Sequence, residues 1–219
     1  ATFRSDKVVE VSGQEITADK IFLAVGGRSE VPPIKGLEGT PYMTSEDLLR
    51  NTRKPKKLLV IGGGYIAVEL GYFYGALGVE THFIVRELML RAEDTEVRKE
   101  FERAFSETFP VHFGYQPREV CYRNGEFTIN CSGPGGTVKD FSGDALLVAT
   151  GIKPWTDQLG IENTGVALDR RGFIKVDDYL RASVEGIWAF GDCIGRHLFR
   201  HTVNFEGEYL FRTLFAEPK

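Results

Sequence analysis

One strand–loop–helix pattern constrains the fold of this chain more than any other feature of its sequence. The apolar segment Lys57–Ile61 ends at three consecutive glycines, and apolar residues then recur at helical spacing from Tyr65 to Leu77. Gly78 marks the end of that helix, and Thr81–Val85 is a second apolar strand. A strand, a helix and a parallel strand within about 30 residues form a right-handed crossover. The pattern therefore predicts an α/β fold.

The glycines of this loop have the spacing of a dinucleotide-binding site. Gly62, Gly64 and Ala67 follow a strand and open a helix, as such a site requires. Gly62 permits a tight turn, Gly64 lets the backbone approach a pyrophosphate, and Ala67 allows the helix to pack closely on the sheet. Phosphates bind there because the N-terminal end of a helix offers amide donors and a positive dipole. The alternative is a glycine-rich turn that binds no ligand.

The end of the second strand indicates which dinucleotide binds. An NAD site usually has an acidic residue there, which binds the ribose 2′-hydroxyl. This chain has Val85 instead, followed by Arg86 and Arg91, whose guanidinium groups suit a 2′-phosphate. NADP(H) is therefore favoured over NAD(H). Two alternatives stay open: Glu87 takes the 2′-hydroxyl if the strand ends one residue later, or both arginines are merely solvated.

The remaining elements follow from apolar runs and turn residues. Strands are predicted at Ile21–Val25, Ala145–Ala149, Ile187–Phe190 and after Gly172, a hairpin around Ser12–Gln14, and helices at Ser45–Arg50, Asp94–Glu107 and 201–215. On the second helix, Val97, Phe101 and Phe105 are expected to share a face. Residues 28–57, rich in proline, glycine and charge, are predicted to be a linker.

Asn124-Gly125 predicts a second hairpin, because this pair suits a two-residue turn. The turn would pair Cys121 with Thr128 rather than with Cys131, so we expect no disulfide between the two cysteines. Cys193 is expected to be a buried packing residue rather than a redox thiol.

Composition excludes several classes of function. The 219 residues are 42% hydrophobic and carry a net charge of −4, which argues against sequence-independent binding to nucleic acid or to an anionic membrane. No apolar run approaches the roughly 18 residues of a membrane span. Three cysteines form no disulfide framework, which favours the cytoplasm. The four histidines lack ligand spacing, so no metal site is expected.

Four motifs, in this order, resemble the flavin-dependent pyridine nucleotide–disulfide oxidoreductases. The motifs are AVGG with a following Pro-Pro, GGGYIAVELG, ATGIKP and EGIWAFGD. The family includes dihydrolipoamide dehydrogenase, glutathione reductase, mycothione reductase and mercuric reductase. The resemblance implies a three-layer, Rossmann-like NAD(P)-binding domain with β-meander strands, inserted into a partial FAD-binding domain. By this resemblance residues 41–149 form the insert, and residues 1–40 and 150–219 belong to the FAD domain.

The resemblance also implies roles for particular residues. On the nicotinamide side, Tyr65 would cover the flavin face, and Glu69, with Gly151 beside it, would contact the nicotinamide end. The other cofactor-binding positions on that side are Gly62, Gly64, Ile66, Ala67, Val85, Arg86 and Arg91. On the FAD side, Asp192 would bind the ribityl chain. The remaining positions on the FAD side are Val25, Gly26, Leu198, Phe199 and His201.

The rest of the family pattern has no counterpart in this sequence. A complete member has a first glycine-rich loop, a CxxxxC redox pair and a dimerisation domain with a catalytic His–Glu pair. We therefore expect this chain to be about half of an enzyme and to contain none of the catalytic residues. The complete homodimeric enzyme would use FAD and NADP(H) to reduce a small-molecule disulfide or oxidise a dithiol. The alternative is a nucleotide-binding module without turnover, a sensor or scaffold.

Overall fold

A computed structural model describes residues 1–216 of the chain. The chain divides into two compact units: unit 1 joins Ala1–Arg28 to the segment that begins at Ile152, and unit 2 is Ser29–Gly151. The sequence analysis puts these boundaries at residues 40 and 150, and the last three residues of its third segment lie outside the described part. Which cofactor each unit binds stays a prediction. Within residues 1–216 no helix is long and apolar enough to cross a membrane.

The elements follow one another along the chain as the alternating apolar runs predict. The strands are β1 (Thr2–Ser5), β2 (Val8–Val11), β3 (Gln14–Thr17), β4 (Ile21–Leu23), β5 (Gly27–Ser29), β6 (Lys57–Ile61), β7 (Glu80–Val85), β8 (Val111–Phe113), β9 (Gln116–Arg123), β10 (Glu126–Ser132), β11 (Val138–Gly143), β12 (Ala145–Val148), β13 (Ile152–Pro154) and β14 (Ile187–Ala189). The α-helices are α1 (Ser45–Arg50), α2 (Tyr65–Ala76), α3 (Thr95–Thr108) and α4 (Arg200–Leu214).

Unit 2 has three layers around a parallel sheet. The sheet has the strand order β12-β6-β7-β8, and the meander β9-β10-β11 forms a separate antiparallel sheet. Leu58 and Val60 of β6 belong to the core that contains residues of α1, α2 and α3, whereas Leu59 and Ile61 belong to the core that contains residues of the meander. Successive side chains of a strand point to opposite faces, so one strand contributes to both cores. The predicted α/β class with meander strands is confirmed.

Small residues bring helix α2 close to its neighbours. A Cβ at Gly71 would lie 2.3 Å from Cζ of Phe83 on β7, and one at Gly75 would lie 2.2 Å from Cε1 of Phe109. The rings of Phe83 and Phe109 thus occupy the space that side chains on this face of the helix would need. Larger residues at either position would push the helix away from the sheet.

The predicted linker is wrong, because most of it packs into unit 2. Leu37 is only 2% exposed and lies in the meander-side core, with Val31 and Ile34 packed against that core. Lys35 forms an isolated bridge with Glu119 of β9. Apolar residues between the prolines and glycines attach this segment to the sheet.

The meander has the predicted hairpin register. Asn124 and Gly125 both have positive φ, 53° and 83°, and Cys121 pairs with Thr128. Cys131 lies opposite Pro117, and each of the three cysteines is free. One part of the pattern in α3 is wrong, since Val97 is 59% exposed in the first turn of the helix while Phe105 is buried.

Unit 1 combines a small antiparallel sheet with a parallel strand pair. Strands β1, β2 and β3 form one sheet, β4 pairs in parallel with β14, and β13 pairs with β5. Strand β1 was not expected from the sequence. The strand predicted after Gly172 does not form, because Ile174 makes only an isolated bridge with Leu168. The core of this unit includes Phe3, Ile187 and Leu210 of α4.

Candidate functional site

The glycine loop turns tightly at the end of β6. Gly62 has φ +135°, and a Cβ there would lie 2.2 Å from the carbonyl oxygen of Ala149. Its N–H donates to the carbonyl oxygen of Ile84 over 3.1 Å. Only glycine has both the backbone freedom and the small size that this position requires. Gly62 therefore sets the direction in which the chain enters α2.

The two following glycines differ in their surroundings. A Cβ at Gly63 would lie 3.1 Å from Cγ1 of Val85, and the carbonyl oxygen of Gly63 accepts the N–H of Leu90 over 2.7 Å. A Cβ at Gly64 would have no neighbouring atom within 4 Å. Gly63 is thus a packing residue that the sequence analysis missed, whereas the space above Gly64 is open. A pyrophosphate fits such a space.

The N-terminal end of α2 suits an anion. Gly64 is the N-cap and contributes no side-chain hydrogen bond, and the first turn of the helix has no acidic residue. A helix end of this kind leaves its positive dipole and its amide donors to a ligand. Ala67 is fully buried against the sheet, while Ile66 is half-buried and Glu69 is exposed. The small residue at position 67 therefore packs as predicted.

Tyr65 is tethered to the loop that precedes α3. Its hydroxyl donates a hydrogen bond to the carboxylate of Glu93, and this bond raises the pKa of Tyr65 above its ordinary value. The N–H of Glu93 donates to the carbonyl oxygen of Leu90 over 2.9 Å, which holds the loop in place. Sequence reasoning missed Glu93, since a separation of 28 residues carries no signal of this contact.

Strand β7 ends at Val85, as the NADP(H) prediction assumes. Val85 is 1% exposed, so its side chain packs in the core and cannot bind a ribose. Arg86 and Arg91 are both exposed, and both pair with Glu87. Nη2 of Arg91 lies 2.5 Å from one carboxylate oxygen of Glu87, and Nε of Arg86 lies 3.6 Å from the other. Two guanidinium groups and one carboxylate therefore lie together beyond the strand.

Gly151 is held by a residue that was not predicted. The N–H of Glu30 donates to the carbonyl oxygen of Gly151 over 2.8 Å, and Oγ1 of Thr150 donates to the carbonyl oxygen of Glu30 over 2.6 Å. The φ of Gly151 is +153°, a conformation that favours glycine. Glu30 thus fixes the backbone that follows β12.

Three of the predicted FAD-side residues line one cavity in unit 1. Gly26, Asp192 and Leu198 border a volume of about 260 Å³. The other lining residues are Ala24, Phe190, Gly191, Arg200, Val203 and Asn204. Val25, Phe199 and His201 do not line it; Phe199 is the N-cap of α4, and His201 is exposed in its first turn. The structure therefore brings together part of the predicted set.

The wall of this cavity has two carboxylates in different settings. Burial raises the pKa of Asp192, and its side chain makes no hydrogen bond to another residue within 1–216. Glu206, buried on α4, accepts the N–H of Gly191 over 2.7 Å and so supports the turn that carries Asp192. Sequence reasoning missed Glu206. Asp192 is thus the carboxylate with hydrogen-bonding capacity to spare.

Cys193 has the surroundings of a packing residue. Its sulfur is fully buried and lies 3.2 Å from the carbonyl oxygen of Leu23 and 3.1 Å from that of Phe190. Burial raises the pKa of the thiol, which disfavours the reactive thiolate.

A histidine pair lies on the meander side of the unit 2 sheet. Nδ1 of His82 is 3.1 Å from Nε2 of His112, and Nε2 of His82 is 2.8 Å from a carboxylate oxygen of Glu80. Desolvation lowers the pKa of His82, and it lowers the pKa of His112 to about 4. Both rings are therefore neutral at neutral pH.

A parallel sheet whose strand β6 runs through three glycines into a helix defines a Rossmann-type α/β protein. The comparison with known sequences is more specific. Residues 1–207 match the sequence family described as pyridine nucleotide-disulphide oxidoreductase, and the chain belongs to this family of flavin-dependent disulfide oxidoreductases. The resemblance stated from the four motifs is confirmed.

Two curated relatives and one solved structure give the extent of the similarity. The chain is 33% identical to mercuric reductase of Staphylococcus aureus over 211 residues, which are 94% of this chain and 38% of that protein. It is 31% identical to dihydrolipoyl dehydrogenase of Cupriavidus necator over 201 residues, 91% of this chain and 42% of that protein. The HOCl-induced flavoprotein disulfide reductase RclA from Escherichia coli superposes with a TM-score of 0.87 at 27% identity. That match covers 100% of this chain and 50% of RclA, so the chain spans half or less of each protein.

Proposed function

We propose that unit 2 binds a nicotinamide dinucleotide, NADPH in preference to NADH, for hydride transfer to FAD. The observation that carries the proposal is the shape of the glycine loop. Gly62 is locked against Ala149, and Gly64 faces open space at the uncapped end of α2. A diphosphate has the size and charge that this end of the helix accommodates.

In this proposal each part of the loop region has a separate task. The α2 end and Gly64 hold the pyrophosphate. Arg86 and Arg91 hold the 2′-phosphate through charge-assisted hydrogen bonds, which replace part of their pairing with Glu87. Tyr65, tethered by Glu93, and the exposed Glu69 lie on α2 beyond the pyrophosphate and would contact the nicotinamide end. Ile66 contributes to the wall of the site, and Gly151 gives the backbone room beside it.

Unit 1 would hold part of an FAD molecule in its cavity. Asp192 fits this role because its carboxylate is partly buried and has no hydrogen bond to another described residue, so a ligand hydroxyl can donate to it. Gly26 and Leu198 border the same cavity, with Val25, Phe199 and His201 in the adjoining segments. The nicotinamide and flavin rings supply the redox chemistry themselves; the chain binds and orients them.

The complete protein would be a homodimeric cytoplasmic oxidoreductase that acts on a small-molecule disulfide or dithiol. The names of the relatives support a sulfur-linked acceptor: one is a dihydrolipoyl dehydrogenase, and the structural relative is a disulfide reductase. The mercuric reductases among the relatives add a soft metal ion as a possible acceptor class. The second candidate function is a nucleotide-binding module without turnover, which the same loop geometry would serve.

A glycine substitution tests nucleotide binding without disturbing the fold. Gly64→Val places a side chain in open space, where the backbone has an ordinary negative φ of −82°, so the chain should fold normally. The added group would occupy the pyrophosphate position, and we expect NADPH affinity, measured by calorimetry, to fall by about ten-fold or more. Gly207→Ala in α4, where a Cβ meets only ordinary contacts at 3.4 Å or more, is the matched control. Unchanged affinity in Gly64→Val would refute the proposed site.

Turnover distinguishes the two candidate functions. The full-length protein should carry FAD and oxidise NADPH in the presence of a disulfide from a panel of small-molecule disulfides. Nucleotide binding without flavin reduction in the full-length protein would instead favour the module without turnover.

A further inference from the structure

Two imidazole rings in unit 2 lie close enough to share one ion. Nδ1 of His82 and Nε2 of His112 are 3.1 Å apart. Two nitrogens bound to one metal ion at about 2.0–2.1 Å, with about 90–110° between the bonds, lie about 2.9–3.4 Å apart. The observed separation falls within this range. A metal ion could therefore bind both rings after only small rotations of the side chains.

We propose that His82 and His112 together bind one borderline divalent metal ion, Cu²⁺, Ni²⁺ or Zn²⁺, through these two nitrogens. Imidazole is a preferred ligand of all three ions, and Cu²⁺ binds nitrogen ligands most tightly. Within residues 1–216 no group of three or more acidic, cysteine or histidine side chains is placed to hold a metal. The site therefore has two protein ligands, and water completes the coordination.

Glu80 orients one of the two ligands. Nε2 of His82 lies 2.8 Å from a carboxylate oxygen of Glu80, so this nitrogen carries the proton and Nδ1 presents its lone pair to His112. Metal-binding histidines commonly donate their second ring N–H to a carboxylate in this way. Without metal, Nε2–H of His112 donates to Nδ1 of His82. When the ion binds, that proton moves to Nδ1 of His112, so the ion replaces the shared proton and both rings stay neutral.

The position of the pair gives the ion a structural effect. His82 lies on β7 and His112 on the edge strand β8, where His112 pairs with Ile84. A bound ion would link the edge strand to its neighbour. Two cations oppose it: Lys57 pairs with Glu80 over 2.8 Å, and Lys139 lies 4.9 Å from the ring centre of Phe141, which itself contacts His112. Removal of the Lys139 charge should therefore strengthen metal binding.

Titration of the chain with CuCl₂, with glycine as competing ligand, tests the proposal. The wild-type chain should bind one Cu²⁺ with a two-nitrogen paramagnetic resonance signature. His82→Gln and His112→Phe, which keeps a ring against Phe141, should weaken binding by about ten-fold or more. The matched control replaces the other two histidines of the chain, His197→Gln with His201→Gln, and should bind Cu²⁺ as the wild type does.

Two further measurements keep the test decisive if a variant folds poorly. Lys139→Gln, an exposed position on β11, should bind Cu²⁺ more tightly than the wild type. Saturating ZnCl₂ should raise the thermal midpoint of the wild-type chain, since a ligand of the folded state stabilises it. The proposal is overturned if the wild-type spectrum lacks two nitrogens, or if the control variant loses the ion while the His82 and His112 variants keep it.

Discussion

Glu87 pairs with Arg91, with Nη2 of the arginine 2.5 Å from a carboxylate oxygen. The same carboxylate also faces Arg86, so one acidic residue shares two guanidinium groups that a 2′-phosphate would need. The choice between NADPH and NADH therefore depends on competition within this exposed triplet. All three side chains are more than half exposed, which keeps the strength of each pairing low.

Replacing both arginines should remove the preference for NADPH. A hydrogen bond to a charged group contributes about 1.5–3 kcal/mol, so one good contact gives about ten-fold discrimination. The double variant Arg86→Ala with Arg91→Ala should bind both nucleotides with similar affinity, close to the wild-type affinity for NADH. Calorimetric titration with each nucleotide measures this. Equal wild-type affinities for NADPH and NADH would show that Glu87 binds the 2′-hydroxyl instead.

Neutralising Glu87 should have the opposite effect. Glu87→Gln frees both guanidinium groups and removes a like charge near the 2′-phosphate, so NADPH affinity should rise and NADH affinity should change little. The gain should shrink as salt increases, because these charges are exposed. Glu100→Gln, which breaks a similar exposed pair with Arg103 on α3, is the control. A gain of the same size in that control would contradict the prediction.

The first and third glycines of the loop should respond differently to substitution. Gly62→Ala forces a Cβ to within 2.2 Å of a backbone oxygen at a positive φ, which costs about 1–3 kcal/mol for strain and a similar amount for overpacking. Gly64→Ala meets no atom and should leave stability nearly unchanged. Urea unfolding of both variants gives the comparison. Similar midpoints for the two variants would be inconsistent with the loop geometry described above.

Asp192→Asn should stabilise the chain at neutral pH. Burial raises the pKa of Asp192 above its ordinary value of 3.8, so the folded state disfavours the charged form. The cost is complete above the raised pKa and disappears below 3.8, where the carboxyl is protonated in both states. The advantage of the variant should therefore be largest at neutral pH and fade as the pH drops. Denaturant midpoints across this pH range test it, and a variant less stable than the wild type at neutral pH would contradict it.

Tyr65 should titrate at higher pH than its variant without the Glu93 charge. The hydrogen bond to the Glu93 carboxylate raises the pKa of Tyr65 above 10.0, since ionisation would break the bond and place two negative charges together. In Glu93→Gln the pKa of Tyr65 should fall toward 10.0. Near-ultraviolet absorbance detects tyrosinate, and Tyr65→Phe identifies which part of the titration belongs to this residue. Identical curves for the wild type and Glu93→Gln would mean that the tether is absent in solution.

The predictable part of the structure was local. The helix that follows Gly64, the end of β7 at Val85 and the register of the hairpin at Asn124 all depend on residues near one another in the chain. In these places hydrophobic period and turn chemistry agree with the fold, so a sequence pattern is sufficient. The linker prediction was wrong because composition overlooked the few apolar residues, such as Leu37, that attach the segment to the core.

The unpredicted part of the candidate sites depends on contacts between distant segments. Tyr65 with Glu93, His82 with His112 and Glu206 with Gly191 each join residues on different elements. Their spacings follow no helical or strand period, and the partners meet only after helices and sheet have packed. Such pairs orient side chains around a site, and a single sequence carries no pattern for them.

Strand β6 has a consequence for where unit 2 opens. Its residues alternate between the two cores, so the strand can become accessible to solvent only if packing is lost on both faces at once. Backbone amides of Leu58 to Ile61 should therefore exchange with deuterium only through global unfolding, more slowly than those of the edge strand β8. The glycine loop begins at the end of this strand. Its starting point would thus stay fixed through the partial openings that release the periphery of the unit.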